Sequence, residues 1–554
     1  MGNKDENKKS IFRKASGIGL STLLVMIGLF LSKATGFMRD AFVANKFNGI
    51  YRDSYTLAFT IPDLFYNLLV GGAIQSSVTP VLSGYIAKNE EKKGLRVVSI
   101  FISVMAVVMA VVCTLGVVFS SKLYSSYEYI SGFIEKLVGR GGGQATSADI
   151  VHLASQASKW LFPQIFFMML AALCIGILNA YKRFSSTSFG PTIYNVCVVL
   201  AIAVFAGNSE RQLMLCTAGI MGATVIYFLY QYIVGFDKLK YIRFSFHPTD
   251  KEFIILFKRA LPVLISASIV QINMVVLNNF ALIFDGSQVS ALRQASTIWQ
   301  LPYGIFAVGV GNVMLPTLAG MYEKKDYSDA KSFLTSRLRT ALFMTIPSAA
   351  FILAFSYQTV LAIFQWNASS YTSTDASYAS VFLIGYSTSI ITQSVVFIMN
   401  QAFYAIGRTK VPLLAGVISL VSNPLICLAL LKFTSFGPMT ITIAYSTTSL
   451  IQLIVLVILY NRKKELSVSN IGSFLIKTFA ASVIAVLPLK LIEHFTYSRF
   501  EGAGKIVKLA VFACYGIVFV LIYFVLAYIL KLDESKYWID KFLGKLKKNK
   551  NTAK

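Results

Sequence analysis

Apolar runs of membrane-spanning length recur along this chain, and that recurrence leaves few folds open. A run of about 18 or more residues with few charges can cross the hydrocarbon layer as a helix. In lipid only helices and closed barrels satisfy every backbone N–H and C=O, and these runs lack the period-two alternation of barrel strands. Fourteen candidate spans lie near residues 17–38, 54–82, 97–120, 160–180, 188–206, 212–235, 256–281, 292–320, 338–357, 377–404, 413–431, 438–460, 472–491 and 507–530. Composition agrees: 56% of residues are hydrophobic and 14% charged, where soluble domains carry about 25% charged residues. The reading is an all-α integral membrane protein with about 14 transmembrane helices. The second and eighth spans contain internal Pro and Gly and are expected to be the least regular.

The net charge of +26 raises the question of a nucleic-acid partner. The Lys and Arg residues sit between the apolar runs and not in one patch, which argues for basic loops held in the cytoplasm and against nucleic acid. The two tails and the loops after even-numbered spans take most of the 51 Lys and Arg. Two loops on the other side, around 282–291 and 358–376, hold none. By the positive-inside rule both termini are cytoplasmic, consistent with an even span count. The lysine-rich segment Lys531–Lys554 places Trp538, Phe542 and Leu546 at helical spacing and is expected to lie on the anionic inner leaflet. The stretch 121–159, with Gly141, Gly142 and Gly143, is expected to be a mobile external loop. Without a preceding strand those glycines are not a phosphate cradle. The six cysteines fall inside or at the ends of apolar runs and read as buried hydrophobes. No cleavable signal peptide is expected, because the first apolar run is too long and lacks a cleavage site.

Short Pro/Gly patterns repeat. Ile61-Pro62-Asp63-Leu64-Phe65, Pro80-Val81-Leu82-Ser83-Gly84 and a charged run match Leu301-Pro302-Tyr303-Gly304-Ile305-Phe306, Pro316-Thr317-Leu318-Ala319-Gly320 and a second charged run. The proline offsets are 302 − 62 = 240 and 316 − 80 = 236. Ala180-Tyr181-Lys182-Arg183 matches Ala405-Ile406-Gly407-Arg408 at 405 − 180 = 225. Such an offset covers six spans, an even number, so the repeats are parallel. The expected organisation is an N-lobe over 1–236, a C-lobe over 237–464, two extra helices over 465–530 and a basic tail over 531–554. Two six-helix lobes would then surround a central cavity.

Charges facing lipid are expensive, so ionisable residues within spans mark cavities or partners. Lys33, Arg39 and Asp40 lie on the first span or its outer end, Arg52 and Asp53 open the second, Asp63 lies within it, and Arg293 opens the eighth. Arg39, Arg52 and Arg293 are expected to line the outer part of a cavity, with Lys33 deeper, a cationic site suited to a phosphate-bearing head group. The alternative for these arginines is interfacial snorkelling. Asp40 and Asp53 are candidate gating acids. Gly36, Pro62 and Pro302 are candidate hinges, Gly36 permitting a break between Lys33 and Arg39. His152, His247 and His494 are scattered, and no P-loop, nucleophile elbow or metal-ligand cluster is present. An enzyme is not expected. A membrane glycosyltransferase or ligase would need a catalytic constellation, and Glu128, Glu135, Asp149 and His152 in the 121–159 stretch do not form one.

Ser32-Lys33-Ala34-Thr35-Gly36-Phe37-Met38-Arg39-Asp40-Ala41 resembles the first-helix signature of the lipid II flippase MurJ (MviN) family. So do Asp53 with Ile61-Pro62-Asp63-Leu64, Gly72-Ala73 leading to Pro80, Gly176 through Phe184 followed by Pro191 and Asn195, and Gln401-Ala402-Phe403-Tyr404-Ala405 with Pro412. The resemblance runs over most of the chain. It implies the MOP superfamily of drug exporters and polysaccharide flippases, fourteen helices, and translocation of an undecaprenyl-pyrophosphate-linked peptidoglycan precursor, lipid II, from inner to outer leaflet by alternating access. Carried over, the family's cavity cations match Lys33 and Arg39, and its second-helix acid matches Asp53. Two family arginines align near Tyr66 and Thr297, with Arg293 one turn before the latter. Some members bind sodium through C-lobe acids. Asn273 and Asn423 stand in comparable helices without a matching acid, so sodium is a weak expectation and no other cofactor is expected. The resemblance further implies helices 13 and 14 as a groove for the lipid tail, the bacterial cytoplasmic (inner) membrane, and a monomer associated with cell-wall synthesis proteins. The alternatives are a flippase for another lipid-linked oligosaccharide and a MATE-like small-molecule exporter.

Overall fold

The computed structural model describes residues 24, 27, 28, 30–70, 78–139, 144–461, 471–501 and 504–536. Among these there are helices and no strands. The first unit contains α1 (30–46), α2 (Gly49–Ala58), α3 (Thr60–Leu69), α4 (Thr79–Ala87), α5 (Glu91–Val118), α6 (Ser120–Val138), α7 (Gln144–Ala180), α8 (Phe184–Ser188), α9 (Gly190–Phe205), α10 (Glu210–Val234), α11 (Phe236–Leu239) and α12 (Lys251–Ala281). The second contains α13 (Gln288–Pro302), a π-helical segment (Tyr303–Val308), α14 (Gly309–Glu323), α15 (Tyr327–Ala354), α16 (Ser356–Phe364), α17 (Ser373–Ala405), α18 (Lys410–Phe433), α19 (Met439–Asn461), α20 (Gly472–Glu501) and α21 (Lys505–Ile529).

Each of the fourteen expected spans coincides with helical residues. Among the described residues ten helices are individually long and apolar enough to cross a membrane, and Gly190–Phe205 and Ser268–Ala281 are shorter apolar helices. The remaining two spans are the first, whose beginning lies outside the described residues, and the second, which is divided into α2, α3 and α4. The chain is a multi-pass membrane protein.

The compact units divide at Ser287/Gln288, with residues 137–140 grouped with the second. Helix α12, the seventh span, therefore belongs with the first unit, where Asn278 Nδ2 donates to Thr60 Oγ1 at 3.0 Å. Helices α20 and α21 belong with the second. There Phe343, Phe355, Phe474, Leu489, Phe519 and Tyr523 form one buried cluster, and Tyr523 donates its hydroxyl to the Phe343 carbonyl at 2.7 Å.

The sequence repeat reappears in how helices end. Asn89 and Lys325, 325 − 89 = 236 apart, take φ of 58° and 59°. Lys182 and Gly407, 407 − 182 = 225 apart, take φ of 60° and 70°. Each sits two residues past the last helical residue, just beyond the C-cap, and the next N–H turns back to a carbonyl five residues earlier: Glu90 to Tyr85 (2.9 Å), Asp326 to Met321 (3.0 Å), Arg183 to Leu178 (3.0 Å) and Arg408 to Phe403 (2.9 Å). This is the Schellman closure, which serves otherwise orphaned carbonyls at a helix end. Its recurrence at the two sequence offsets gives the repeat a structural counterpart.

Two expectations are corrected. The stretch 121–159 is not a mobile loop: Ser120–Val138 is the helix α6, and α7 is helical from Gln144 onward, while Gly141, Gly142 and Gly143 lie outside the described residues. The apolar residues of α6 are too sparse for a spanning run and are divided between a buried and an exposed helical face. Nor is the first helix broken at Gly36, since residues 30–46 are continuously helical. The expected amphipathic tail residues Trp538, Phe542 and Leu546 lie outside the described residues.

Candidate cationic site in the first unit

Helix α1 carries the two cations expected to matter most. Lys33 is exposed and Arg39 half-buried. Arg39 pairs with its neighbour Asp40, Nε and Nη2 each lying 3.0 Å from Oδ1. Its Nη1 donates to Asn195 Oδ1 on α9 at 3.4 Å, and Asn195 Nδ2 donates back to the Ser32 carbonyl at 3.1 Å. One asparagine thus holds both the guanidinium and the turn below it. A Cβ added at Gly36 would meet Asn195 Nδ2 at 3.5 Å, an ordinary contact. Arg39 is also within electrostatic reach of Tyr55 and Tyr194. The Tyr194 hydroxyl accepts from Gln164 Nε2 at 3.1 Å. Gln164 is 4% exposed, and its Oε1 has no hydrogen-bond partner among the described residues. Asp63, partly exposed on α3, lies within electrostatic reach of Tyr66 and Tyr194. The first unit therefore gathers a cation, an acid, an amide and tyrosines around α1, α3, α7 and α9.

Arg52 is not where it was expected. It is 1% exposed, so it neither lines an open cavity nor snorkels to an interface. Its Nε donates to the Phe47 carbonyl at 3.1 Å. Phe47 is the first residue after α1 and is buried, and at a helix C-terminus a cation satisfies a carbonyl that lacks an intrahelical donor and complements the helix dipole. Asp53, next to it, is also 1% exposed. Both are parts of the α1–α2 corner.

The proline-marked spans behave differently in the two units. Pro62 lies in the first turn of α3 and cannot donate to the Ala58 carbonyl. The Tyr124 hydroxyl of α6 replaces that donor, at 2.6 Å from Ala58 O. Pro302 ends α13, and the helix continues through a π-helical turn, Tyr303–Val308. Such turns frequently occupy functional positions. Arg293 is exposed on α13, and its carbonyl accepts from Thr297 Oγ1 at 3.1 Å. Around the π turn the second unit is aromatic: Trp299, Tyr303, Tyr386 and Tyr445 have neighbouring ring centroids 5.3–5.9 Å apart. Asn273 is buried in the first unit and Asn423 in the second. Among the described residues no three His, Cys, Asp or Glu side chains come together as a metal site.

Three pairings escaped the sequence reading: Asn195 with Arg39, Tyr194 with Gln164, and Tyr124 with Ala58 O. Asn195 lay within a quoted family stretch, and a hydrogen-bonding residue inside an apolar run was its one local signal. Loop pairings also emerged. Arg183 holds Asp237 through two 2.7 Å bonds, and the Tyr181 hydroxyl donates to Glu91 Oε1 at 2.5 Å, with Lys238 Nζ 3.4 Å from the same oxygen.

An all-helical, two-unit architecture of membrane-spanning helices, with cations and acids on α1, α2 and α3, points to the class of multi-pass transporters. The fold is similar to a solved structure titled lipid II flippase MurJ in an inward closed conformation, with a TM-score of 0.69, 22% identity, and coverage of 92% of this chain and 99% of that one. It is also similar to an inward-facing multidrug resistance MATE family transporter of the MOP superfamily, with a TM-score of 0.63, 14% identity and coverage of 80% and 98%. A sequence profile described as lipid II flippase MurJ matches residues 44–512, and the chain belongs to that family. Among curated relatives, the probable lipid II flippase MurJ of Buchnera aphidicola subsp. Acyrthosiphon pisum is 23% identical over 85% of this chain and 89% of its own length. The lipid II flippase MurJ of Burkholderia cenocepacia is 24% identical over 70% and 74%, and the probable flippase of Treponema pallidum 23% identical over 93% and 97%. The family is one of transporters and not a class of catalysts.

Proposed function

We propose that this chain is a lipid II flippase. It takes the pyrophosphate-sugar head of the polyprenyl-linked peptidoglycan precursor from the inner leaflet of the bacterial cytoplasmic membrane and delivers it to the outer leaflet by alternating access. The family match over residues 44–512 carries this reading. The concentration of cations on the first helix supports it, because a cation exporter would need acids where Lys33 and Arg39 stand. Lys33 and Arg39 are the proposed head-group ligands. The Asn195 bond and the Asp40 pair hold the guanidinium of Arg39 ready to present its remaining donors to a phosphate, bidentate geometry being the particular strength of arginine. Arg293 is proposed to contribute a weaker, exposed positive charge. Both termini are placed in the cytoplasm by the charge asymmetry of the loops.

An inside-negative membrane potential favours outward movement of an anion by roughly 2.3 kcal/mol per charge per 100 mV. That potential is the proposed driving force for a doubly charged head group crossing without compensating ions.

The test is rescue of a bacterium depleted of its own lipid II flippase. The intact chain is expected to restore growth, and equally expressed Lys33→Ala and Arg39→Ala variants are not. Failure of the intact, well-expressed chain would transfer the reading to another lipid-linked oligosaccharide. Unimpaired rescue by both variants would remove the cationic-site argument.

A further inference from the structure

Helix α6 has two faces. Ser120, Tyr124, Tyr127, Ser131, Ile134 and Glu135 are buried. The opposite face changes character along its length: Lys122, Ser125 and Ser126 are exposed in the first turns, then Tyr129 (81%), Ile130, Phe133 (60%) and Leu137 in the last. Four large apolar side chains on one helical face require a covering.

The level at which α6 leaves the membrane can be read from its neighbours. Ser120 Oγ donates to the Ser155 carbonyl at 2.5 Å and lies 3.0 Å from Ser158 Oγ. Trp160, just beyond on α7, is 45% exposed. Trp160 lies mid-way along α7 but at the start of its apolar run 160–180, and an exposed tryptophan where an apolar run begins is characteristic of the membrane–water interface. On α5 the exposed apolar side runs through Val111, Leu115 and Val118 and reaches Phe119, the single residue joining α5 to α6. Ser120 therefore lies at the interface, with lipid-facing surface directly before it. Nineteen helical residues standing upright would carry their last turns roughly 28 Å into water at 1.5 Å per residue. A helix lying in the interface plane instead buries an apolar face to the level of the acyl chains. The exposed Lys122 and Lys136 suit the phosphates of that layer.

We infer that α6 lies in the membrane–water interface with its C-terminal half, Tyr129 to Leu137, inserted among the lipids, so that the partner of this face is the bilayer surface itself. The opposite face is fastened to the protein, since Tyr124 closes the carbonyl that Pro62 leaves open in the second span. In the topology proposed above the layer is the outer leaflet; the interfacial position does not depend on that assignment.

The experiment uses the full chain in lipid nanodiscs, with Cys197→Ala and Cys514→Ala removing the two cysteines that are not buried. An environment-sensitive fluorophore is attached at Phe133→Cys or, for comparison on the polar half, at Ser126→Cys. At position 133 a lipid nitroxide placed just below the head groups is expected to quench roughly half the emission, with a blue-shifted spectrum and little effect of iodide. At position 126 iodide is expected to be the stronger quencher. Iodide quenching at 133 equal to that at 126 would put this face in water and overturn the inference. Protection from both quenchers would overturn it in favour of a protein surface covering α6. Tyr129→Cys supplies the same reading if Phe133→Cys does not fold. Flipping measured on the same samples reports separately on the flippase reading.

Discussion

The chain leaves α4 and α7 of the first unit through Asn89 and Lys182, and α14 and α17 of the second through Lys325 and Gly407, all with left-handed backbones. Around these matching helix ends the chemistry diverges. The first unit surrounds its proline-broken span with Arg39, Asp63, Gln164, Tyr66 and Tyr194. The second surrounds its π turn with Trp299, Tyr303, Tyr386 and Tyr445. The difference shows that backbone closures at helix ends can be retained while the side chains facing inward are changed. Cap geometry depends on the chain's own hydrogen bonds, whereas a ligand is recognised by side chains.

Substitutions at paired positions can break or sharpen this contrast. The largest expected effect is on transport. Arg39→Ala in the first unit should slow flipping of labelled lipid II in proteoliposomes by about ten- to a hundredfold, the loss of one charge-assisted contact of about 1.5–3 kcal/mol. Arg293→Ala in the second should slow it only a few-fold. The reverse ranking would end the assignment of head-group binding to the first unit. Next comes stability. Arg52→Ala leaves a buried corner without its cation, and by comparison with broken buried charge pairs it should lower unfolding stability by about 3 kcal/mol, with Arg52→Lys milder. Thermal unfolding in detergent checks this. An unchanged midpoint with lost flipping would return Arg52 to the transport site. Tyr124→Phe, which strips the donor from the Ala58 carbonyl, should cost about 1–3 kcal/mol by the same measurement. Smaller again, Lys182→Gly and Lys325→Gly relieve a left-handed backbone at one such closure in each unit and should each stabilise by roughly 0.5–1 kcal/mol. Unequal gains would mean that the two closures are less alike than their φ values.

The smallest effect is a pH dependence. The Arg183 hydrogen bonds hold the Asp237 carboxyl below the usual carboxylate range. A depressed acid stabilises the fold above its ordinary pKa of about 3.9 and loses that contribution as pH falls through its lowered folded value. Asp237→Asn should therefore flatten the acid limb of the stability profile slightly, and leave the profile unchanged at neutral pH apart from a small constant offset.

Much of this was legible beforehand. Hydropathy reported the membrane-spanning helices because crossing a bilayer is a property of about twenty consecutive residues, whatever surrounds them. The repeat was legible because Pro and Gly mark backbone geometry locally. Lys33 and Arg39 stood out because charge in an apolar run is rare. Helix α6 was missed for the complementary reason. Its apolar residues are divided between two faces and interrupted by Ser, Lys and Glu, so their mean is low, and only helical periodicity together with its buried face reveals it.

Read alone, the residues establish a helical, many-span membrane protein with a repeated Pro/Gly pattern and cations at the start of its first half. Each of these depends on sums or spacings along the chain. The fold decides matters that depend on residues far apart. Arg52 is withdrawn into a corner by the Phe47 carbonyl. Arg39 is held by Asn195, 156 residues away in sequence. The gap left by Pro62 is filled by a tyrosine from α6, and α12 packs with the first unit through Asn278 and Thr60. A hydrogen bond or a buried surface has two sides, and spacing along the chain describes only one of them.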